Sequence, residues 1–264
     1  MPSTAIESAI PPRILGHRQG EQAGPTVICI GGVHGNEPAG VQALEQVLSE
    51  LAQKGLARGN FYALSGNRQA MAAQLRYLES DLNRLWTDLR MQELNQRPRH
   101  QMRADEQEQY ELWQNLQEIL SRESGPFYLV DLHTTSSATP PFLTVNDSLL
   151  NRAFTRLYPL PVILGIEEYL DGPLLSYLNA QGYVAFGFEG GQHQDPAAVA
   201  NHRAFVYLTL LWAGCASAEA LDAQNHYRHL QRAGAGLKRF YEIYYRCGLR
   251  QDDRFTMVSG WKNL

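Results

Sequence analysis

Apolar residues along the chain fall into two rhythms. Short runs of three to ten, bounded by Gly, Pro and polar residues, read as buried strands: Pro25–Ile30, Asn60–Leu64, Phe127–His133, Phe142–Val145, Val162–Leu164 and Tyr183–Gln192. Arg13–Arg18 reads as a further strand, after an arm that ends at Pro11-Pro12. Between these runs the apolar residues recur at helical spacing. Val41, Leu44, Val47, Leu48 and Leu51 predict a helix that ends near Gly55. Leu112, Trp113, Leu116, Ile119 and Leu120 predict one over Asp105–Arg122, whose acidic start suits a helix N-terminus. Further helices are predicted over Ser148–Tyr158, over Pro173–Gln181 with Gly182 as its stop, and over Pro196–Trp212 behind the N-cap Asp195. Residues 87 to 103 read as a polar loop. Glu219–Tyr245 reads as one helical stretch whose aromatics, Tyr227, Phe240, Tyr241, Tyr244 and Tyr245, form a core or interface stripe. Strands alternating with helices predict an α/β domain around a largely buried sheet.

Composition narrows the class. The 264 residues can bury one large core or one core plus an appendage. A net charge of −4 gives no electrostatic footprint for nucleic acid or an acidic membrane surface. No apolar run approaches the roughly 20 residues of a membrane span, and Met1–Ala9 lacks the pattern of a signal peptide. Cys29, Cys215 and Cys247 form no C-x-x-C pair, which argues for a reducing compartment; the cytoplasm is the expected location.

Polar residues gather where strands end, the place where α/β proteins build sites. Ile30-Gly-Gly-Val-His34-Gly-Asn-Glu37-Pro is a strand-to-helix turn, with glycines to bend it and Pro38 in the first helical turn. A His and a Glu three apart there are either two surface-loop residues or two ligands converging on one point. Asp131-Leu-His133 ends a second strand. Together the two ends offer two nitrogens and a carboxylate, the three-ligand set of a catalytic zinc with a fourth position open. Asp131, two residues from His133, is a candidate to steady it. Arg68, Asn83 and Arg84 would suit a substrate carboxylate, which guanidinium grips bidentately; spacing alone favours reading both arginines as surface ion-pair residues, Arg84 with Asp81 or Asp88. Glu189 ends the last strong strand ahead of two glycines. It is a turn residue or a general base.

Taken in order, Gly32-Val-His34-Gly-Asn-Glu37, Asn67-Arg68, Asp81-Leu-Asn83-Arg84, Asp131-Leu-His133-Thr and Phe188-Glu189-Gly-Gly-Gln192 resemble the succinylglutamate desuccinylase/aspartoacylase family over roughly residues 25 to 264. The resemblance implies a mixed, mostly parallel central sheet flanked by helices, of the zinc carboxypeptidase-like kind. It implies one zinc ion per chain on His34, Glu37 and His133, Glu189 as the catalytic glutamate, Arg68 near the scissile carbonyl, and Asn83 and Arg84 on the substrate carboxylate. The implied activity is deacylation of an N-acyl amino acid or similar small amide, through an activated water with Glu189 as general base. A metallocarboxypeptidase and a non-catalytic zinc-binding domain are the alternatives; homo-oligomerisation is left open.

Two departures shape the expectation. Glu167–Leu175 holds no arginine and is acidic, where aspartoacylase-like members carry a further arginine; this argues against an N-acetylaspartate-type substrate. The hydrolase domain is expected over residues 1–254. Residues 255–264 then read as the start of a smaller β-rich C-terminal region, cut short or absent, with Trp261 on exposed surface.

Overall fold

The computed structural model describes residues 10–166, 169–234, 237, 239–243, 245–248 and 253–256. Its strands are β1 (Ile14–Gln19), β2 (Gln22–Gly31), β3 (Arg58–Ser65), β4 (Phe127–Thr135), β5 (Phe142–Val145), β6 (Val162–Leu164), β7 (Val184–Gln192) and β8 (Phe240–Glu242). Its helices are α1 (Ala39–Lys54), α2 (Arg68–Ala73), α3 (Asp88–Gln96), α4 (Ala104–Arg122), α5 (Leu149–Thr155), α6 (Leu174–Ala180), α7 (Pro196–Ala213) and α8 (Ala223–Ala233). The strands form one sheet in the order β1-β3-β2-β4-β7-β5-β6-β8. β1 runs antiparallel to β3 and β5 to β7; the other pairings are parallel. The mixed, mostly parallel sheet flanked by helices is the architecture expected.

The continuous apolar runs follow from burial on both faces. Side chains alternate along a strand, so Val27 and Cys29 join a core with α1, α7 and α8, while Ile28 and Ile30 join a second core with α3, α4 and α6. Leu44, Val47, Leu48 and Leu51 turn the apolar face of α1 onto the first core. There Phe188 of β7 stacks on Phe205 of α7 with ring centroids 4.0 Å apart. Asp195 caps α7 by accepting from the Ala197 N–H. Trp86, Met91, Leu94, Leu112, Trp113 and Leu116 fill the second core.

Two expectations need correction. Residues 87–103 are not a loop. Thr87 caps α3 by accepting from Arg90 N, and α3 buries Met91 and Leu94, too few apolar residues to show a period. The stretch 219–245 is not one helix. α8 ends at Gly234, and Phe240 and Tyr241 lie on β8 beside β6, off any helix; Phe240 and Tyr245 are exposed, and Tyr244 lies outside the described residues. The polar residues that follow β3 lead into a short helix, α2, capped by Asn67. Residues 257–264, with most of the proposed C-terminal region and Trp261, lie outside the described residues, as do Glu167 and Glu168.

Candidate metal centre and active site

β2, β4 and β7 are neighbours in the sheet, and their carboxyl ends carry the polar cluster. After β2 the chain turns sharply at Gly32, whose φ is +72°, and passes so close to α2 that a Cβ on Gly35 would lie 2.2 Å from the Ala70 carbonyl carbon. That turn brings His34 and Glu37 together, with the Glu37 N–H donating to the His34 carbonyl at 3.1 Å. Glu37 then divides its oxygens. Oε1 lies 2.9 Å from His34 Nδ1, and Oε2 lies 3.1 Å from His133 Nδ1 while accepting from Thr134 N at 2.8 Å. The three side chains are buried, and one ligand atom from each lies within 4.8 Å of the others.

The far nitrogen of each imidazole meets a carboxylate. His34 Nε2 is 3.1 Å from Asp81 Oδ1, and His133 Nε2 is 2.6 Å from Asp131 Oδ2. With an ion between the three side chains, a carboxylate at Nε2 would keep the proton there and free Nδ1, which here bonds Glu37, as a lone pair, the arrangement that orients metal-ligating histidines. Burial would raise the Glu37 and Asp81 carboxyls. Hydrogen bonds outweigh it, from both histidines to Glu37 and from His34 to Asp81, and hold both well below the carboxylate range. Burial would lower His133, but Asp131 and Glu37 raise it well above an ordinary imidazole. Two imidazole nitrogens and a carboxylate, each imidazole braced from behind, fit zinc with one position open.

Glu189 lies in register with His133 across β4 and β7. Its Oε2 is buried with no hydrogen-bond partner among the described residues. Burial raises its pKa to about 7; His133 opposes the shift and Glu37 reinforces it. Such a carboxyl is matched to taking up and releasing a proton near neutrality. The backbone beyond it is fixed, because the Gly190 carbonyl accepts from Asn201 Nδ2 at 2.8 Å.

The structure does not bring Arg68 to this cluster. Its guanidinium is committed to α4, with Nε 3.1 Å from Glu108 Oε2 and Nη2 on Glu111. Glu108 also holds Arg13, so Arg68 belongs to a partly buried ion network that ties α2 to α4 and the N-terminal strand. The arginine that reaches the cluster is Arg76. Its Nη1 is 3.5 Å from Glu37 Oε1 and its Nη2 3.3 Å from Asp81 Oδ2, and at 43% exposure it faces the open side. The sequence reading passed over Arg76; its place five residues before Asp81 was the available signal. Asn83 and Arg84 follow Asp81 in a 3-10 turn, Leu82–Arg84. Asn83 is buried and its Oδ1 accepts from Leu174 N at 2.9 Å, while Arg84 Nη1 donates to the Asn83 carbonyl at 2.6 Å. The acidic loop reaches this turn, since the Gly172 carbonyl accepts from Trp86 N at 3.0 Å.

Comparison with known proteins adds three observations. The model of the succinylglutamate desuccinylase/aspartoacylase catalytic domain matches residues 23–160, slightly more than half of the chain, and stops short of Glu189. A succinylglutamate desuccinylase of Photorhabdus laumondii is 36% identical over 75 residues, which cover 28% of this chain and 22% of that protein. Among solved structures, a succinylglutamate desuccinylase of Chromobacterium violaceum superposes with a TM-score of 0.55 at 20% identity, covering 72% of this chain and 61% of that one. The ectoine utilization protein of Ruegeria pomeroyi gives 0.59 at 19% identity, covering 75% and 60%. The matched parts therefore span about six tenths of these solved chains, and at such identities the likeness is one of fold.

Proposed function

This chain belongs to the succinylglutamate desuccinylase/aspartoacylase family, and on that premise we propose that it is a zinc-dependent hydrolase that removes the acyl group from an N-acyl amino acid or similar small amide. The observation that carries the reading is the closed constellation of His34, Glu37 and His133, braced by Asp81 and Asp131, beside a carboxyl that titrates near neutrality. His34, Glu37 and His133 would hold the ion. Zinc, when bound, supplies Lewis acidity that lowers the pKa of water and polarises a carbonyl.

The protein's own groups do the rest. Glu189 takes a proton from the attacking water and returns it to the leaving amine. Its Oε2, without a partner among the described residues, has no competing hydrogen bond to break first. Arg76 faces the cluster from its exposed side, so its guanidinium is the group we assign to the oxyanion that develops on the amide carbonyl, in place of Arg68. Asn83 and Arg84 lie next along the same segment and are assigned to the substrate carboxylate. With Asn83 Oδ1 engaged by Leu174 N, its amide N–H groups are the ones to turn toward that carboxylate.

The test is hydrolysis by the zinc-loaded protein across N-acetyl, N-succinyl and N-formyl amino acids and a series of peptides. Turnover of one acyl class, without cleavage of peptides longer than a dipeptide, is the expected result. Release of the C-terminal residue from longer peptides would make the protein a metallocarboxypeptidase, using the same zinc and arginines. Zinc binding with no turnover of any amide would make it a binding domain.

A further inference from the structure

Asp105, near the start of α4, is not one of the clustered ligands, yet it is almost completely buried at 1% exposure. A buried carboxylate is strongly unfavourable unless its oxygens are satisfied. Among the described residues, no lysine, arginine or histidine hydrogen-bonds to it. Its oxygens are filled instead by four N–H donors. Oδ1 accepts from Asn67 Nδ2 at 2.6 Å and from Leu78 N at 3.3 Å, and Oδ2 accepts from Glu79 N at 2.7 Å and Ser80 N at 2.9 Å. Three successive backbone N–H groups turned onto one anion make a nest. The chain between α2 and the 3-10 turn is wrapped around this carboxylate.

That wrapped segment is the one that serves the metal cluster. At its start, the Arg76 carbonyl accepts from Gly35 N at 3.1 Å, and the Arg76 guanidinium reaches Glu37 and Asp81. At its end, Asp81 holds His34 Nε2. Asn67 closes the ring. Its N–H donates to the Gly32 carbonyl at 2.8 Å, its Oδ1 accepts from Ala70 N at 3.2 Å, and its Nδ2 grips Asp105. A continuous path therefore runs from the metal-ligand turn through Asn67, Asp105 and residues 78–80 to Asp81, and back to His34.

We propose that Asp105 is a positioning residue of the metal centre: its carboxylate fixes the 76–81 segment so that Asp81 orients His34 and Arg76 stands over the cluster. The part that concerns Arg76 rests on the deacylase reading; the part that concerns Asp81 and His34 rests only on zinc binding.

The test compares Asp105→Asn with the wild type by zinc competition against a chromophoric chelator and by kcat/KM on the best amide of the panel. An asparagine keeps the shape but offers one acceptor oxygen and sets two N–H donors against the nest. The expected result is a zinc affinity weakened roughly 10- to 100-fold, as for lost outer contacts to a ligating histidine. A fall in kcat/KM should accompany it, most of which disappears when the change is made in an Arg76→Ala background, since groups that act as a unit are not additive. A merely structural role would give additive losses and an unchanged zinc affinity in the folded fraction. Asp105→Glu guards against a failure to fold: the charge remains, but one extra methylene pushes the carboxylate into the 78–80 backbone. Folded Asp105→Glu with zinc affinity and kcat/KM both within about threefold of wild type, well under the loss expected for a displaced outer contact, would overturn the inference. A wild type that turns over no amide, combined with weakened zinc binding in Asp105→Asn, would refute the deacylase reading and leave the positioning of His34 standing.

Discussion

Arg68 and Arg76 lie eight positions apart, yet their surroundings give them opposite work. Glu108 and Glu111 hold Arg68 within the joint between α2 and α4, whereas Arg76 stands half-exposed beside Glu37 and Asp81. Arg76→Ala should therefore lower kcat/KM by about 10²- to 10³-fold, the usual effect of losing one oxyanion donor, with the urea midpoint unchanged. Arg68→Ala should do the reverse, costing about 1–2 kcal/mol of stability for the lost charged hydrogen bonds while turnover per folded molecule stays near wild type. Loss of turnover in Arg68→Ala at full stability would restore the original assignment. The difference also shows what a sequence can display at this scale. His34 and Glu37 were legible because the strand, the glycines and the helix around them are all local. Asp81 was read as a partner for Arg84, and its true partner, His34, lies 47 residues away. Nothing near Asp81 in the sequence marks that contact.

The helices that cover the first core are tied to one another as well as to the sheet. Glu50 of α1 accepts from Arg203 of α7 at 2.7 and 2.8 Å and from the Tyr207 hydroxyl at 2.7 Å. The Arg203 hydrogen bonds, with Tyr207 adding and burial opposing, lower the Glu50 pKa from 4.5 to about 2. A depressed carboxyl stabilises the fold above its unfolded pKa, and that contribution is lost as pH falls through the folded one. Glu50→Gln should thus cost about 0.5–1 kcal/mol at pH 7, discounted for partial exposure. The gap to wild type should close between pH 4.5 and about 2 in urea unfolding curves. A gap that persists at the acid end would show that the clamp acts through packing and not charge. Strands and long amphipathic helices were legible at this scale because a full period repeats within each. α3 was not, since it buries two apolar side chains, and the break after Gly234 was hidden because aromatics suit a helix face and a short strand equally.

At the scale of the whole molecule, the alternation of strands and helices announced the α/β class and the buried sheet. It did not announce that β1 runs against β3 and β5 against β7, because strand direction is set by which edges meet, not by local pattern. The cluster lies where neighbouring parallel strands end, so an ion held by His34, Glu37 and His133 would join the end of β2 to the end of β4. A ligand held by the folded state alone stabilises it in proportion to the logarithm of its saturation. Zinc at about 100 times its dissociation constant should add about 2.7 kcal/mol, seen as a rise in Tm that chelator reverses. Glu37→Gln, which removes one ligand and leaves two histidines, should abolish most of that rise. A Tm indifferent to zinc in the wild type would place the ion elsewhere or nowhere.

The central claim is that one buried carboxyl, Glu189, does its work beside a metal site it does not build. The direct measurement is zinc content and turnover of the preferred N-acyl amino acid, determined on the same preparation of Glu189→Gln. The account predicts about one zinc per chain, as in wild type, with kcat reduced by at least about 10²-fold. A variant that keeps its turnover, or one that loses its zinc together with its activity, would contradict it.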